Sequence, residues 1–429
     1  MLLALSLSLA ACAQAALPIQ NWTTSSGARV YFVQTRGIPM LDINVDFDAG
    51  GRRVAADKAG LGGLTHALLK AGSAARSEEE IGRRIADVGA QLRGSIDRDR
   101  AGMSLRTLSS ERERTQAIAA FAEILQTPSF PEGAFAREKA RLVAAVKEDE
   151  TKPDAIASKA FYRALYGEHP YALAPMLETI ARIERADVQN FYRSNYVAER
   201  AVITIIGEAD RPYAERVAEQ LSAELPRAPG APASLPAVSQ PRAETLRIAH
   251  PATQSHILLG LPAIARNDPD YFPLLVGNYT LGGGGLVSRL YLEVREKRGY
   301  AYNVYSYFWP LAQEGPFQIG VQTKTEQADE ALARVRVVLD EFLVRGPSAA
   351  EMKAAKQNLV GGFALRIDSN RKLLDQVALI GFYQLPLTWL DDFTSRVEKV
   401  SLADVRAAFA RRVRLEHLVT VVVGSGGKN

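Results

Sequence analysis

An internal repeat constrains this chain more than any other feature. Ala186-Asp187-Val188 returns as Ala403-Asp404-Val405, 403 − 186 = 217 residues later. Each triplet enters a helical pattern carrying an aromatic residue, Phe191 or Phe409, and then an apolar strand ending in glycine. Those strands read Val202-Ile203-Thr204-Ile205-Ile206-Gly207 and Val419-Thr420-Val421-Val422-Val423-Gly424, and their glycines keep the spacing, 424 − 207 = 217. Two units that close on the same pattern at one register imply a duplicated domain. The length agrees, because 429 residues exceed what one hydrophobic core usually organises.

The stretch between the copies supports this division. Pro226 to Arg242 reads PRAPGAPASLPAVSQPR, a proline- and alanine-rich spacer with little charge. The expected layout is a leader over 1–15, an N-terminal domain over 16–225, a linker over 226–243 and a C-terminal domain over 244–429. Within each domain, strand and helix patterns alternate. Ile43, Val45 and Phe47 alternate with polar residues, as do Phe317, Ile319 and Val321. Ser77 with Glu80, and Ser348 with Glu351, have the spacing of capping boxes that start helices. Ile96 to Leu108 reads as one strand, straight or bent at Gly102. Ile118, Phe121, Ile124 and Leu125 form an apolar helix face stopped by Pro128, and Leu332, Val335, Leu339, Phe342 and Leu343 form another that ends at Gly346-Pro347. The expected class is α+β: two homologous domains, each a mainly antiparallel sheet covered on one face by helices.

Met1 to Ala15, MLLALSLSLAACAQA, is an apolar run too short to cross a bilayer, followed by small residues. It lacks a basic leading region, but Ala13-Gln14-Ala15 fits a secretory cleavage site. Leu9-Ala10-Ala11-Cys12 also fits a lipobox. The expectation is export to the periplasm, with a soluble product preferred over a lipoprotein anchored at Cys12. Cys12 is the only cysteine, so the mature chain is expected to have neither a disulfide nor a thiolate metal site. No later apolar run is long enough to span a membrane. A net charge of +4 without a lysine- or arginine-dense block gives no nucleic-acid footprint.

Nucleophile and metal motifs are missing from the sequence. There is no G-x-S-x-G elbow, and the glycine run at 282–285 lacks the Gly-Lys-Ser/Thr of a phosphate loop. The five histidines, His66, His169, His250, His256 and His417, form no i, i+4 pair. Around His66, however, the segment Gly60-Leu61-Gly62-Gly63-Leu64-Thr65-His66-Ala67-Leu68-Leu69-Lys70-Ala71-Gly72-Ser73 resembles the zinc helix of the insulinase/pitrilysin metallopeptidases, the inverted zincins. In that resemblance the two zinc histidines fall on Gly63 and Ala67, and the general-base glutamate falls on His66. The downstream helix after Arg137-Glu138-Lys139, with AFYRALYGEHPYAL over 160–173, extends the likeness, and the third zinc ligand falls near Ala145. Glu148 and Glu150, one turn further on, read as a solvated helix end.

The second half carries the closest match. Gly282 to Tyr305, GGGGLVSRLYLEVREKRGYAYNVY, is similar to the family's G-G-G-x-x-S-R-L segment and the arginine and tyrosine that follow it. The resemblance assigns Arg295 and Tyr302, seven residues apart, to binding the substrate's scissile region near the zinc of another domain. Without the motif, Arg295 would read as a helix-surface ion pair and Tyr302 as a residue packed on the sheet. For Gly282, Gly283, Gly284 and Gly285 two readings stand: a flexible turn into a helix starting near Leu286, or a loop that lets backbone approach a bound peptide.

The resemblance implies a metallopeptidase-like fold of the LuxS/MPP type that has lost its zinc ligands and kept the Arg/Tyr pair. Its functional implication is a non-catalytic subunit, without cofactor of its own, paired with an H-x-x-E-H paralogue that holds zinc and acts on peptides. A structural or assembly protein that keeps only the fold is the alternative. A self-sufficient enzyme with a cryptic metal site, or a peptide-binding module, is a third reading.

Overall fold

The computed structural model describes residues 17–424; the leader and Cys12 lie outside the described residues. Eleven strands are described: β1 Gln20–Thr23, β2 Arg29–Gln34, β3 Met40–Phe47, β4 Gln91–Ile96, β5 Ala101–Leu108, β6 Val202–Gly207, β7 Glu244–Ala249, β8 Gln254–Ile264, β9 Asn303–Phe308, β10 Gly315–Lys324 and β11 Val419–Gly424. They form two sheets, β1-β2-β6-β3-β5-β4 and β7-β11-β8-β10-β9. Without the extra edge strand β1 the two orders are the same. So are the polarities: β6 runs parallel to β2 and antiparallel to β3, as β11 does to β7 and β8. The protein is therefore an α+β molecule of two homologous, mainly antiparallel sheets covered by helices.

The 217-residue offset extends well beyond the strands that reveal it. Helices Glu111–Gln126 and Ala328–Arg345 start 328 − 111 = 217 residues apart. Pro153–Tyr166 and Asn370–Tyr383 differ by 370 − 153 = 217, and Arg185–Asn195 and Leu402–Arg412 by 402 − 185 = 217. Both capping boxes form, with Ser77 and Ser348 each accepting from the backbone three residues on.

The halves exchange a helix, which sequence periodicity does not reveal. Pro153–Tyr166, from the first half, packs on β8 and β11 of the second sheet, while Asn370–Tyr383, from the second half, packs on β3 and β6 of the first. Phe161 of the first half lies over Gly260 of β8, and Ala157, Phe161 and Leu165 share a core with Val419, Val421 and Val423. In the other direction Gly381 lets the second exchanged helix sit against Tyr31 and Val202, and Arg29 donates to the Gly381 carbonyl at 3.1 Å. Each sheet is thus covered by its own helices on one face and by a borrowed helix on the other, not on one face alone. This accounts for Asp42 and Asp46 being buried together with the apolar side of β3.

One further departure from the sequence reading bears on the site. Ile96 to Leu108 is not one strand. It contains the end of β4, a tight turn and β5, because the Asp97 carboxylate accepts from the backbone N–H groups of Asp99 and Arg100 and reverses the chain. Residues 226–243 form no helix or strand, and hydrogen bonds hold them against both halves. Arg53 donates to the Ala233 carbonyl, His169 Nε2 and Gln313 Nε2 to that of Pro236, and His417 Nδ1 to that of Pro241.

A degenerate zinc helix and an exposed arginine–tyrosine pair

Gly60, with φ of +108°, starts the helix Leu61–Leu68, which buries Leu61, Leu64 and Leu68 in the first core. It packs against the helix Glu132–Asp149, with Leu142 alongside Gly60. The two elements expected to carry the zinc ligands are therefore together. Their reactive positions are empty of donors. Gly63 and Ala145 are exposed, Ala67 is half-buried, and none has a side-chain atom able to bind a metal. Among the described residues no three His, Cys, Asp or Glu side chains group to hold an ion. The residues present do not fit a resident zinc.

His66, at the general-base position, has been turned to packing. It is buried, and neither ring nitrogen has a hydrogen-bond partner. Its Nε2 faces the bare backbone of Gly94 on β4, where a Cβ would lie 2.5 Å away. Burial, with Lys70 adding a smaller repulsion, pushes the imidazole down to about 4. A neutral ring sealed under an edge strand cannot serve as a base toward solvent. The other histidines are structural where their partners are defined: His169 caps the turn Pro170–Ala172 and bonds Gln313, and His250 meets the Thr151 carbonyl. Glu148 is paired with Lys152 at 2.6 Å on an exposed helix end.

In the second half the structure brings Arg295 and Tyr302 together. Arg295 lies on the wide helical turn Tyr291–Glu296, and its guanidinium carbon is 5.0 Å from the Tyr291 ring centroid and 5.6 Å from that of Tyr302. It forms no ion pair among the described residues, and the carboxylate of Glu293, two residues earlier, is paired with Lys297, Arg298 and Arg334 instead. These contacts, led by the hydrogen bond from Lys297, hold Glu293 down to about 2. Tyr302 is 71% exposed, and its backbone is fixed just before β9 by an N–H bond to the Gln322 carbonyl. Neither the surface ion pair nor the sheet-packed phenol is what the structure shows.

The glycine run is a tight, packed turn. A Cβ on Gly282 would collide with Ser306, and Gly285 has φ of +59°. Asn278 and Ser306 bond one another behind it. No regular α-helix begins at Leu286. A wide turn at Tyr279–Gly283 and a short 3-10 turn at Gly285–Val287 leave Leu286 and Val287 exposed, at 67% and 60%.

This fold and these sites agree with comparison to known proteins. The insulinase (peptidase family M16) profile matches residues 29–178, and the peptidase M16 inactive domain profile matches 182–359. The solved structure of a peptidase M16 inactive domain from Pseudomonas fluorescens superposes with a TM-score of 0.92 at 35% identity, covering 96% of this chain and 99% of that one. The chain is also 28% identical over 362 residues to an uncharacterized zinc protease of Streptomyces coelicolor, covering 80% of this chain and 76% of that protein. It is 25% identical over 418 residues to the non-peptidase homolog YmxG of Helicobacter pylori, covering 93% and 92%. The chain belongs to the M16 insulinase family, and it is a homologue whose own zinc site is lost.

Proposed function

We propose that this chain is the non-catalytic subunit of a heterodimeric, periplasmic zinc peptidase, and that it presents Arg295 and Tyr302 to a peptide held at the zinc of an H-x-x-E-H paralogue. The observation that carries this reading is an asymmetry between the two sites. The zinc helix keeps its frame but no donor atoms, while the Arg295–Tyr302 pair stands exposed, ordered and free of acidic partners. Peptide hydrolysis builds negative charge on the scissile carbonyl oxygen. A guanidinium and a phenol aimed there stabilise the transition state more than the ground state, which is what acceleration requires. The exposed Leu286 and Val287, on a turn packed against Tyr291–Glu296, provide apolar contact for the partner or the peptide. The test is co-expression with the paralogue, co-purification, and a peptidase assay of each chain alone and of the mixture. Activity only in the mixture is expected. Full activity of the paralogue alone contradicts the proposal.

A further inference from the structure

Each borrowed helix leaves part of its sheet face open, and the repeat allows the two resulting grooves to be compared position by position. In the first half a cavity of about 230 Å³ lies between β3–β5 and the helix Asn370–Tyr383. In the second a cavity of about 420 Å³ lies between β8–β10 and the helix Pro153–Tyr166. On the helices, Arg371 corresponds to Asp154, since 371 − 154 = 217. On the edge strands, Arg93 is reached from β6 through the pairs Thr204–Asn44, Asn44–Ser104 and Ser104–Arg93. The same path from β11, through Val421–Leu258, Leu258–Gly320 and Gly320–Tyr305, ends on Tyr305. Thr204 and Val421 are again 421 − 204 = 217 apart, so Tyr305 stands where Arg93 stands.

The first groove supplies its own arginines. Arg371 lies 3.7 Å from Asp375, and Arg100 bonds Asp46 at 2.9 Å. In the second groove the positions of Arg371 and Arg93 are taken by a carboxylate, Asp154, and an aromatic ring, Tyr305. Tyr305 lies across Gly320, where a Cβ would collide with it, so its ring is laid over the sheet. The ring of Tyr307 is parallel to it within 4°, with centroids 5.8 Å apart. Asp154 has no ion-pair partner among the described residues. At the far wall Arg98 stacks over Tyr162, 3.5 Å from the ring centroid, so this groove already holds one guanidinium on a tyrosine.

We infer that the second groove binds a guanidinium-bearing side chain of a peptide, stacked on Tyr305 and Tyr307 and paired with Asp154. Planar guanidinium fits flat aromatic faces and a carboxylate better than ammonium does. That the ligand is a peptide rests on the proposed function; the chemistry of the groove does not.

The probe is a blocked tetrapeptide, acetyl-Gly-Ala-Arg-Gly-amide, with a twin in which neutral, planar citrulline replaces arginine. Binding to the full chain alone is followed by calorimetry and by the fluorescence of Trp309, which is 53% exposed and 6.2 Å from Tyr307. Saturable binding of the arginine peptide is expected, about 10-fold weaker for the citrulline twin. Asp154→Asn is expected to weaken it about 5-fold, and Tyr307→Leu to remove the Trp309 response. Equal binding of the twins, no binding of either, or indifference to both substitutions overturns the inference. Because the chain is measured without a partner, the outcome does not depend on whether Tyr302 acts in a mixed complex.

Discussion

Asp99 in the first half and Tyr383 in the second are joined by a partly buried hydrogen bond, with the phenol donating to the carboxylate at 2.8 Å. The same fully buried carboxylate accepts from Tyr171 at 2.7 Å and from the backbone N–H of Ala312 at 2.8 Å, and it pairs with Arg52 at 3.0 Å. Ala312 lies in the β9–β10 connection, so one side chain ties that loop and the end of an exchanged helix to the opposite half. Tyr383→Phe removes one hydrogen bond to a charged acceptor and should cost about 1.5–3 kcal/mol. Asp99→Ala leaves the Tyr171 and Tyr383 hydroxyls and the Ala312 N–H without their acceptor, while Arg52 keeps Asp48 at 2.9 Å, and should cost more, about 3–5 kcal/mol. Urea unfolding of the two variants measures both values, and equal small losses would remove Asp99 from this role.

The buried His66 gives stability a defined dependence on pH. Its imidazole titrates near 6.5 in the unfolded chain and is held down to about 4 in the folded protein by burial, with Lys70 contributing less. Between those values the unfolded chain binds the extra proton. Stability from this group is therefore present above about pH 6.5 and lost as pH falls toward 4, by up to about 3 kcal/mol. His66→Leu should lose less stability than wild type between pH 7 and pH 4.5. Urea midpoints of both proteins at the two pH values test this, and parallel losses would contradict it.

Gly63, Ala67 and Ala145 offer no metal donor, so the isolated chain, saturated with zinc and then washed with a mild chelator, should retain far less than one ion per chain. Elemental analysis returning about one zinc per chain would show that other residues bind it.

Much of this was legible in the residues, for physical reasons that also mark where reading stops. The 217-residue repeat shows because β6 and β11 are buried on both faces, and such strands must be continuously apolar. The capping boxes show because their chemistry is local. The helix exchange does not show, because the apolar pattern of Pro153–Tyr166 says that it is buried but not against which sheet. The turn at Asp97 and the junction at Asp99 were hidden inside Asp97-Arg98-Asp99-Arg100, whose alternating charges suggest a solvated surface. Pairing across the two halves is what permits Asp99 to be buried. Arg295 and Tyr302 stood out only through a motif, since nothing in their spacing alone separates an exposed pair from ordinary surface.

The central claim is that this chain acts on substrate in another chain's active site, and Tyr302→Phe tests it most directly. The substitution removes one oxygen from a residue that is 71% exposed, so folding and assembly should be unchanged. The variant is mixed with the zinc-holding paralogue, assembly is verified by size-exclusion chromatography, and peptide turnover is measured with the complex saturated. Loss of one donor to a developing oxyanion should lower turnover by about 100-fold, or about 3 kcal/mol. Full turnover from a normally assembled Tyr302→Phe complex would contradict the account and leave this subunit a scaffold.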